Sequence, residues 1–301
     1  AIRAFLAITD DQDIAISFAS ATMSVLAVFA TFLLGSVVGS RWVGLAAAAA
    51  MAIEREVVEW AADGWRDDAF TAMVALSAWA ILRFWKRPTW GAAVLAGGVA
   101  GVACLTRITA VSFLLPALAS VAVFQGRAVL WRSLGQTALA LVVMGAVVGP
   151  YLVNCYIEFG DPFYAVNFHT GGYRQWYGEP AKMEGALTLV VDRFRNRPVT
   201  ATDTALRGLI VYPFEIKWRG FDRWDPRLSR ALFWLSACGL LAWLWQPTGR
   251  QALLILVMSL VPYMLTWALP GGGEWRFTMP AYPFYLVAAF GFVALVCDVV
   301  R

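Results

Sequence analysis

The sequence predicts an all-α fold: a polytopic transmembrane helical bundle of about nine apolar spans, several of them short, with an extracytoplasmic amphipathic-helix and loop segment. Three observations predict it. Of 301 residues 60% are hydrophobic and only 15% are charged, against roughly 25% charged in a typical soluble domain. The apolar residues fall into long uninterrupted runs, which a single soluble core could not hide and a bilayer can. Fifteen Trp and nine Tyr suit a protein with two membrane interfaces, where amphipathic rings collect.

The spans follow in order at approximately 14–38, 42–53, 69–84, 90–105, 110–124, 134–156, 231–245, 251–269 and 281–299. Several fall below the roughly 20 residues that an upright span needs. Short spans occur where helices end in a water-filled cavity or continue into polar turns, so a groove is expected on one side. Gly97, Gly98 and Gly101 within 90–105 read as close helix packing rather than as a binding loop. The boundaries give three parts: an N-terminal membrane module over 1–156, an aromatic-rich extracytoplasmic segment over 157–230, and C-terminal membrane helices over 231–301.

Charge fixes orientation. With alternating spans, one side collects Arg41, Arg83, Lys86, Arg87, Arg127, Arg132, Arg250 and Arg301, and the other collects Asp10, Asp11, Asp13, Glu54, Glu56, Glu59, Asp63, Asp67 and Asp68. The positive-inside rule makes the first side cytoplasmic. The acidic loops and the long polar stretch then face the periplasm or exterior. Within that stretch FGDPF at 159–163 supplies turn chemistry through Gly160, Asp161 and Pro162. Residues 184–196, EGALTLVVDRFRN, carry apolar groups at helical spacing and read as an amphipathic helix lying on the membrane or over the bundle.

Composition excludes several function classes. A net charge of +4 without a dense basic cluster is not a nucleic-acid site. The single histidine, His169, argues against a His-rich zinc centre. Cys104, Cys155, Cys238 and Cys297 lack metal-ligand spacing and read as buried small hydrophobes. No Ser-His-Asp arrangement, Walker loop or dinucleotide fingerprint is present. No cofactor is demanded; a bound metal would be magnesium or manganese, given carboxylates with at most one His.

The candidate chemistry sits on the acid-rich side. Asp67 and Asp68 open a span in GWRDDAF, where carboxylates can take protons, hold a divalent cation or accept hydrogen bonds from sugar hydroxyls. The plainer alternative is a helix N-terminus favouring acids. Glu54, Glu56 and Glu59 read as a solvated charge run, with Glu59 kept as a candidate for substrate contact. Arg107, in the turn of GGVAGVACLTRITAV, has no carboxylate nearby in sequence and could pair bidentately with a phosphate or snorkel to lipid headgroups. Arg276, in GGGEWRFTMPAYPFY, faces the same compartment. Tyr173 and Arg174 are further substrate-binding candidates in the long segment.

Four stretches carry a resemblance: GWRDDAF, GVACLTRITAVSFLLP, GPYLVNCYIEFGDPFY and EWRFTMPAYPFYLVAAF. In order and spacing they resemble the bacterial GT-C glycosyltransferases of the protein O-mannosyltransferase and lipid A aminoarabinose transferase type. The resemblance implies a bacterial inner-membrane enzyme that takes a sugar from a polyprenyl-phosphate donor. It passes the sugar to a protein, lipid or glycan acceptor with inversion, on the extracytoplasmic side and among membrane lipids. Asp67 or Asp68 then matches the family's second acid near the donor, and Arg107 and Arg276 its basic residues near the lipid phosphate. The resemblance further implies that the chain is a fragment whose main catalytic acid lies upstream of Ala1; alternatively Asp10 or Asp11 is that acid. Two other readings are a transporter or flippase of a lipid-linked anionic substrate, and a non-catalytic glycan-binding membrane subunit.

Overall fold

A computed structural model of the chain describes residues 2–9, 11–62, 67–124, 130–176, 178–180, 182–211, 226–267 and 279–300. Among these the chain is helical throughout, without a strand. A short α1 (Ile2–Leu6) leads into α2 (Gln12–Val38), α3 (Arg41–Ala52), α4 (Arg55–Ala62), α5 (Asp67–Lys86) and α6 (Trp90–Thr106). A single 3₁₀ turn at Ile108–Ala110 then enters α7 (Val111–Phe124), followed by α8 (Leu130–Phe159). The polar segment folds as α9 (Tyr164–Asn167), α10 (His169–Trp176), α11 (Ala186–Asn196) and α12 (Pro198–Val211). The chain finishes with α13 (Pro226–Ala242), α14 (Pro247–Trp267) and α15 (Tyr282–Val300).

Each expected span is met by a helix. By length and hydropathy, Gln12–Val38, Trp131–Phe159 and Met279–Asp298 suffice to cross a membrane, and Arg41–Ala52, Trp90–Thr106 and Ile108–Phe124 are shorter. The protein is a membrane protein whose lipid-facing residues are apolar, as Phe18, Val25 and Phe29 on α2 or Val142 and Val153 on α8 show by their exposure. Cys104 and Cys155 are buried as expected, but Cys238 is only half-buried and Cys297 is exposed. The correction follows from the solvent: an outward thiol on a span meets lipid, which costs a small hydrophobe nothing.

The alternation of spans leaves a direct trace in the hydrogen bonds. Lys86 Nζ, at the end of α5, donates to the Val37 carbonyl at the end of α2 (2.6 Å), satisfying one of the last carbonyls of that helix. Gln136 Nε2, near the start of α8, donates to the Pro88 carbonyl in the α5–α6 turn (3.2 Å). The arginine-rich ends therefore share one side. Trp42, Trp90 and Trp131 stand exposed there, near Arg41, Arg87 and Arg132 in sequence, an arrangement suited to a headgroup interface.

At the centre α5 packs against α2, α6, α7, α14 and the Met279–Ala281 turn before α15. Its buried residues mix small ones (Ala72, Ala75, Ala78), which let helices approach closely in lipid, with large ones (Phe70, Ile81, Leu82, Phe84). Closer still are α6 and α8: a Cβ at Gly97 would overlap the Ala140 carbonyl, and one at Gly101 would lie 2.7 Å from Val147 Cβ. Gly98 meets nothing nearer than 4.0 Å, so only two of the three glycines are needed for this contact. A Cβ at Gly239 of α13 would likewise overlap the backbone of Ala288 on α15.

Helix α3 has 12 residues, about 18 Å at 1.5 Å per residue. It thus stops well short of the roughly 30 Å hydrocarbon thickness. The chain turns at Ile53 and Glu54 and continues as the amphipathic α4, where the sequence suggested only a charged loop. This recessed end of α3 positions the site.

Candidate functional site

Side chains of α2, α5 and the end of α6 meet around Asp67 and Asp68. Asp67 and Asp68 occupy the first turn of α5, where their charges favour the positive end of the helix dipole, and both are buried. Arg107 caps the C-terminus of α6, its own N–H bonding the Ala103 carbonyl and its backbone extended into the 3₁₀ turn. That backbone sends the guanidinium across to α5, where Nη1 donates to Asp67 Oδ1 at 3.1 Å. The guanidinium carbon lies 5.6 Å from the Phe70 ring centroid, stacked over the next residues of the same helix. The cation expected to lack a carboxylate has one, supplied 40 residues away.

Asp68 points the other way. Its Oδ2 accepts from Ser20 Oγ of α2 at 2.8 Å, while Oδ1, in a fully buried residue, has no hydrogen-bond partner among the described residues. The two adjacent carboxylates are thus differently engaged, one by a guanidinium and the other by a hydroxyl.

Glu54 corrects the reading of 54–59 as a solvated charge run. It is 2% exposed, and its Oε2 accepts from Tyr282 Oη at 2.6 Å, joining the α3–α4 turn to the first residue of α15. The short α3 explains the burial, because a residue at its end lies below the membrane surface. A carboxylate at such depth requires a donor. Glu59, one turn along α4, is half-buried. Neither Glu54–Tyr282 nor Ser20 was singled out from sequence. The only signal for Glu54 was its place directly after an apolar run too short to span.

Asp11 is exposed and caps α2, its Oδ1 accepting from the N–H groups of Asp13 (2.9 Å) and Ile14 (3.2 Å). Asp10 and Arg276 lie outside the described residues, as does the side chain of Tyr173. Arg174 sits in α10 and is forked between acids of its own segment. Its Nε donates to Glu184 (2.6 Å) and its Nη1 to Glu179 (2.8 Å), with Asp192 3.7 Å away. Glu179 also accepts from Arg193 Nη1 at 2.9 Å. Burial would raise the Glu179 carboxyl, but Arg193 and Arg174 outweigh it and hold the group below its usual range. The anchor of this segment is the expected turn. Gly160 takes a left-handed φ of 70°, Asp161 accepts from Phe163 N–H and from Asn167 Nδ2, and Asn167 Oδ1 accepts from the first N–H of α11.

Residues 1–153, which include Glu54, Asp67, Asp68 and Arg107, match the family described as dolichyl-phosphate-mannose-protein mannosyltransferase. The chain belongs to this family. That family falls within the GT-C superfamily of membrane glycosyltransferases, in agreement with the resemblance read from sequence. No curated protein matches the chain. Among solved structures, the oligosaccharyltransferase of Archaeoglobus fulgidus, crystallised in complex with Zn and sulfate, superposes with a TM-score of 0.58 at 15% identity. The match covers 96% of this chain but 38% of that one, so this mannosyltransferase-family chain shares a fold with part of a larger enzyme.

Proposed function

We propose that the chain forms the membrane core of a transferase that moves a sugar from a polyprenyl-phosphate donor to a protein, lipid or glycan acceptor. In this reading the acid-rich side faces the periplasm of a bacterial inner membrane, and 157–230 forms an extracytoplasmic part between the membrane modules 1–156 and 231–301. The observation that carries it is the Asp67–Arg107 pair, set beside Asp68 at the common end of α2, α5 and α6. It lies within the stretch that matches the mannosyltransferase family.

The chemistry asks for little else. The acceptor oxygen attacks the anomeric carbon from the face opposite the phosphate, a carboxylate on this side takes its proton, and the bond to the lipid phosphate breaks with the electron pair leaving on phosphate. Arg107 meets that charge: its planar fork can keep Asp67 and still offer N–H groups to a phosphate oxygen. Asp67 orients the guanidinium, and the stacked Phe70 limits its swing, so little reorganisation remains for the moment of reaction. Asp68, fully buried and bonded to Ser20, holds the start of α5 against α2.

GT-C relatives include a zinc-containing structure, so the donor set bears on metal use. Among the described residues no group of three or more His, Cys, Asp or Glu could hold a metal ion. Asp68 Oδ1, buried and without a hydrogen-bond partner, fits a hard cation such as Mg²⁺ or Mn²⁺ that needs one or two carboxylates and completes its shell with water and phosphate. Such an ion would add positive charge beside the leaving phosphate.

The test is sugar transfer by the complete protein in liposomes holding a polyprenyl-phosphate sugar. Asp67→Asn, Asp68→Asn and Arg107→Ala should each lower transfer by about 100-fold or more, the scale of losing one charge-stabilising group. Membrane insertion should survive. Wild-type rates in all three would sink the assignment.

A further inference from the structure

Outside the bundle, the segment between α8 and α12 forms a half-open cavity of about 160 Å³, lined by Arg174, Glu179, Leu189, Asp192, Arg193, Asn196 and Arg197. At about 30 Å³ per water it has room for roughly five waters, or one pyranose ring. We propose that this cavity binds a single sugar ring, presented by the acceptor glycan.

The lining is built in two tiers. Glu179 gives one carboxylate oxygen to Arg174 (2.8 Å) and the other to Arg193 (2.9 Å), and Glu184 fixes the Arg174 Nε (2.6 Å). These bonds immobilise the floor before any ligand arrives, so little side-chain entropy remains to be lost on binding. Leu189, fully buried, packs behind this lining. Above the floor stand Asp192, about half exposed and 3.7 Å from Arg174, and the exposed Asn196 and Arg197.

The mixture of signs selects the ligand. Each sugar hydroxyl both donates and accepts, so a polyol can use Arg and Asn donors and Asp and Glu acceptors together. A phosphate would meet Asp192 and Glu179 as repelling charges. The ion pairs alone do not account for the arrangement, because they close among themselves and still leave the cavity open.

The inference rests on the transferase reading only in assigning the bound ring to the acceptor; binding itself is independent of it. The experiment titrates the complete, detergent-purified protein with methyl glycosides of glucose, galactose, mannose and N-acetylglucosamine, and separately with inorganic phosphate, by saturation-transfer NMR and calorimetry. Saturable binding of at least one glycoside is expected, weakened ten-fold or more by Asp192→Ala and Asn196→Ala and unchanged by Lys182→Ala, which lies on the segment but off the cavity. Binding of phosphate but not of glycosides overturns the proposal, as does binding of neither, or glycoside binding indifferent to both rim variants. In the transfer assay the rim variants should raise the acceptor KM and leave kcat alone. Asp67→Asn should abolish transfer yet keep glycoside binding, so the two readings fail separately.

Discussion

Breaking the Asp67–Arg107 pair from either end should destabilise the protein unequally. The two atoms lie 3.1 Å apart, with the Asp67 side chain 3% and the Arg107 side chain 17% exposed. Unit charges about 4 Å apart attract by roughly 4 kcal/mol at an effective dielectric near 20, and desolvation offsets much of this, more for the deeper partner. Arg107→Met removes the described cation beside the deeper charge and should cost about 3–5 kcal/mol, the range for breaking a buried pair from one side. Asp67→Asn leaves the charge on the partner with more access to water and keeps an oxygen acceptor, so about 1–2 kcal/mol is expected. The double variant should cost less than the sum, with a coupling of about 2 kcal/mol. Thermal unfolding of the detergent-solubilised protein reads this directly: at about 2 °C per kcal/mol, Arg107→Met should melt roughly 6–10 °C early. Additivity within about 0.5 kcal/mol, or a larger loss for Asp67→Asn than for Arg107→Met, would refute the burial argument.

Three other outcomes are expected. Tyr282→Phe removes the described donor to the buried Glu54 and should cost about 1.5–3 kcal/mol, the scale for a hydrogen bond to a charged group; Glu54→Gln combined with Tyr282→Phe should cost less than the sum in the same melt. Gly239→Ala drives a methyl into the Ala288 backbone and should destabilise by about 1–3 kcal/mol, whereas Gly145→Ala, whose Cβ meets nothing within 4 Å, should be silent. Glu179 is held below its ordinary 4.5 because Arg193 and Arg174 outweigh burial. Its contribution is therefore complete above that ordinary value and is lost as pH falls through the lower folded value. Limited proteolysis at 177–197 should accelerate in acid but not at pH 8, and Glu179→Gln should remove the acid sensitivity.

The spans were legible because each is a contiguous property of the chain: a run of apolar residues reports its own burial in lipid without knowledge of its neighbours. The start of α5 at Asp67, the helix over 186–196 and the turn at Gly160 were legible for the same local reason. What escaped was relational. Arg107 looked unneutralised because its carboxylate is 40 positions away, and Glu54 looked solvated because nothing in EREVVE reveals that α3 ends below the membrane surface. The apolar residues of α12, interrupted by Thr200, Thr202 and Asp203, gave too weak a period to separate this helix from a loop. Its packing against α11 and α14 supplies the missing stability.

The glycine contacts between α6 and α8 also determine which movements the bundle allows. Gly97 and Gly101 lie four residues apart, on one stripe of α6, and each meets α8 backbone or branched side chain without clearance. Advancing α6 by a single residue would turn it by 100° and bring Gly98 and Val102 to the seam, setting a valine's two methyls where Gly101 leaves room for none. The pair therefore has one register, like a keyed shaft. Any movement within the bundle must come from seams other than this one.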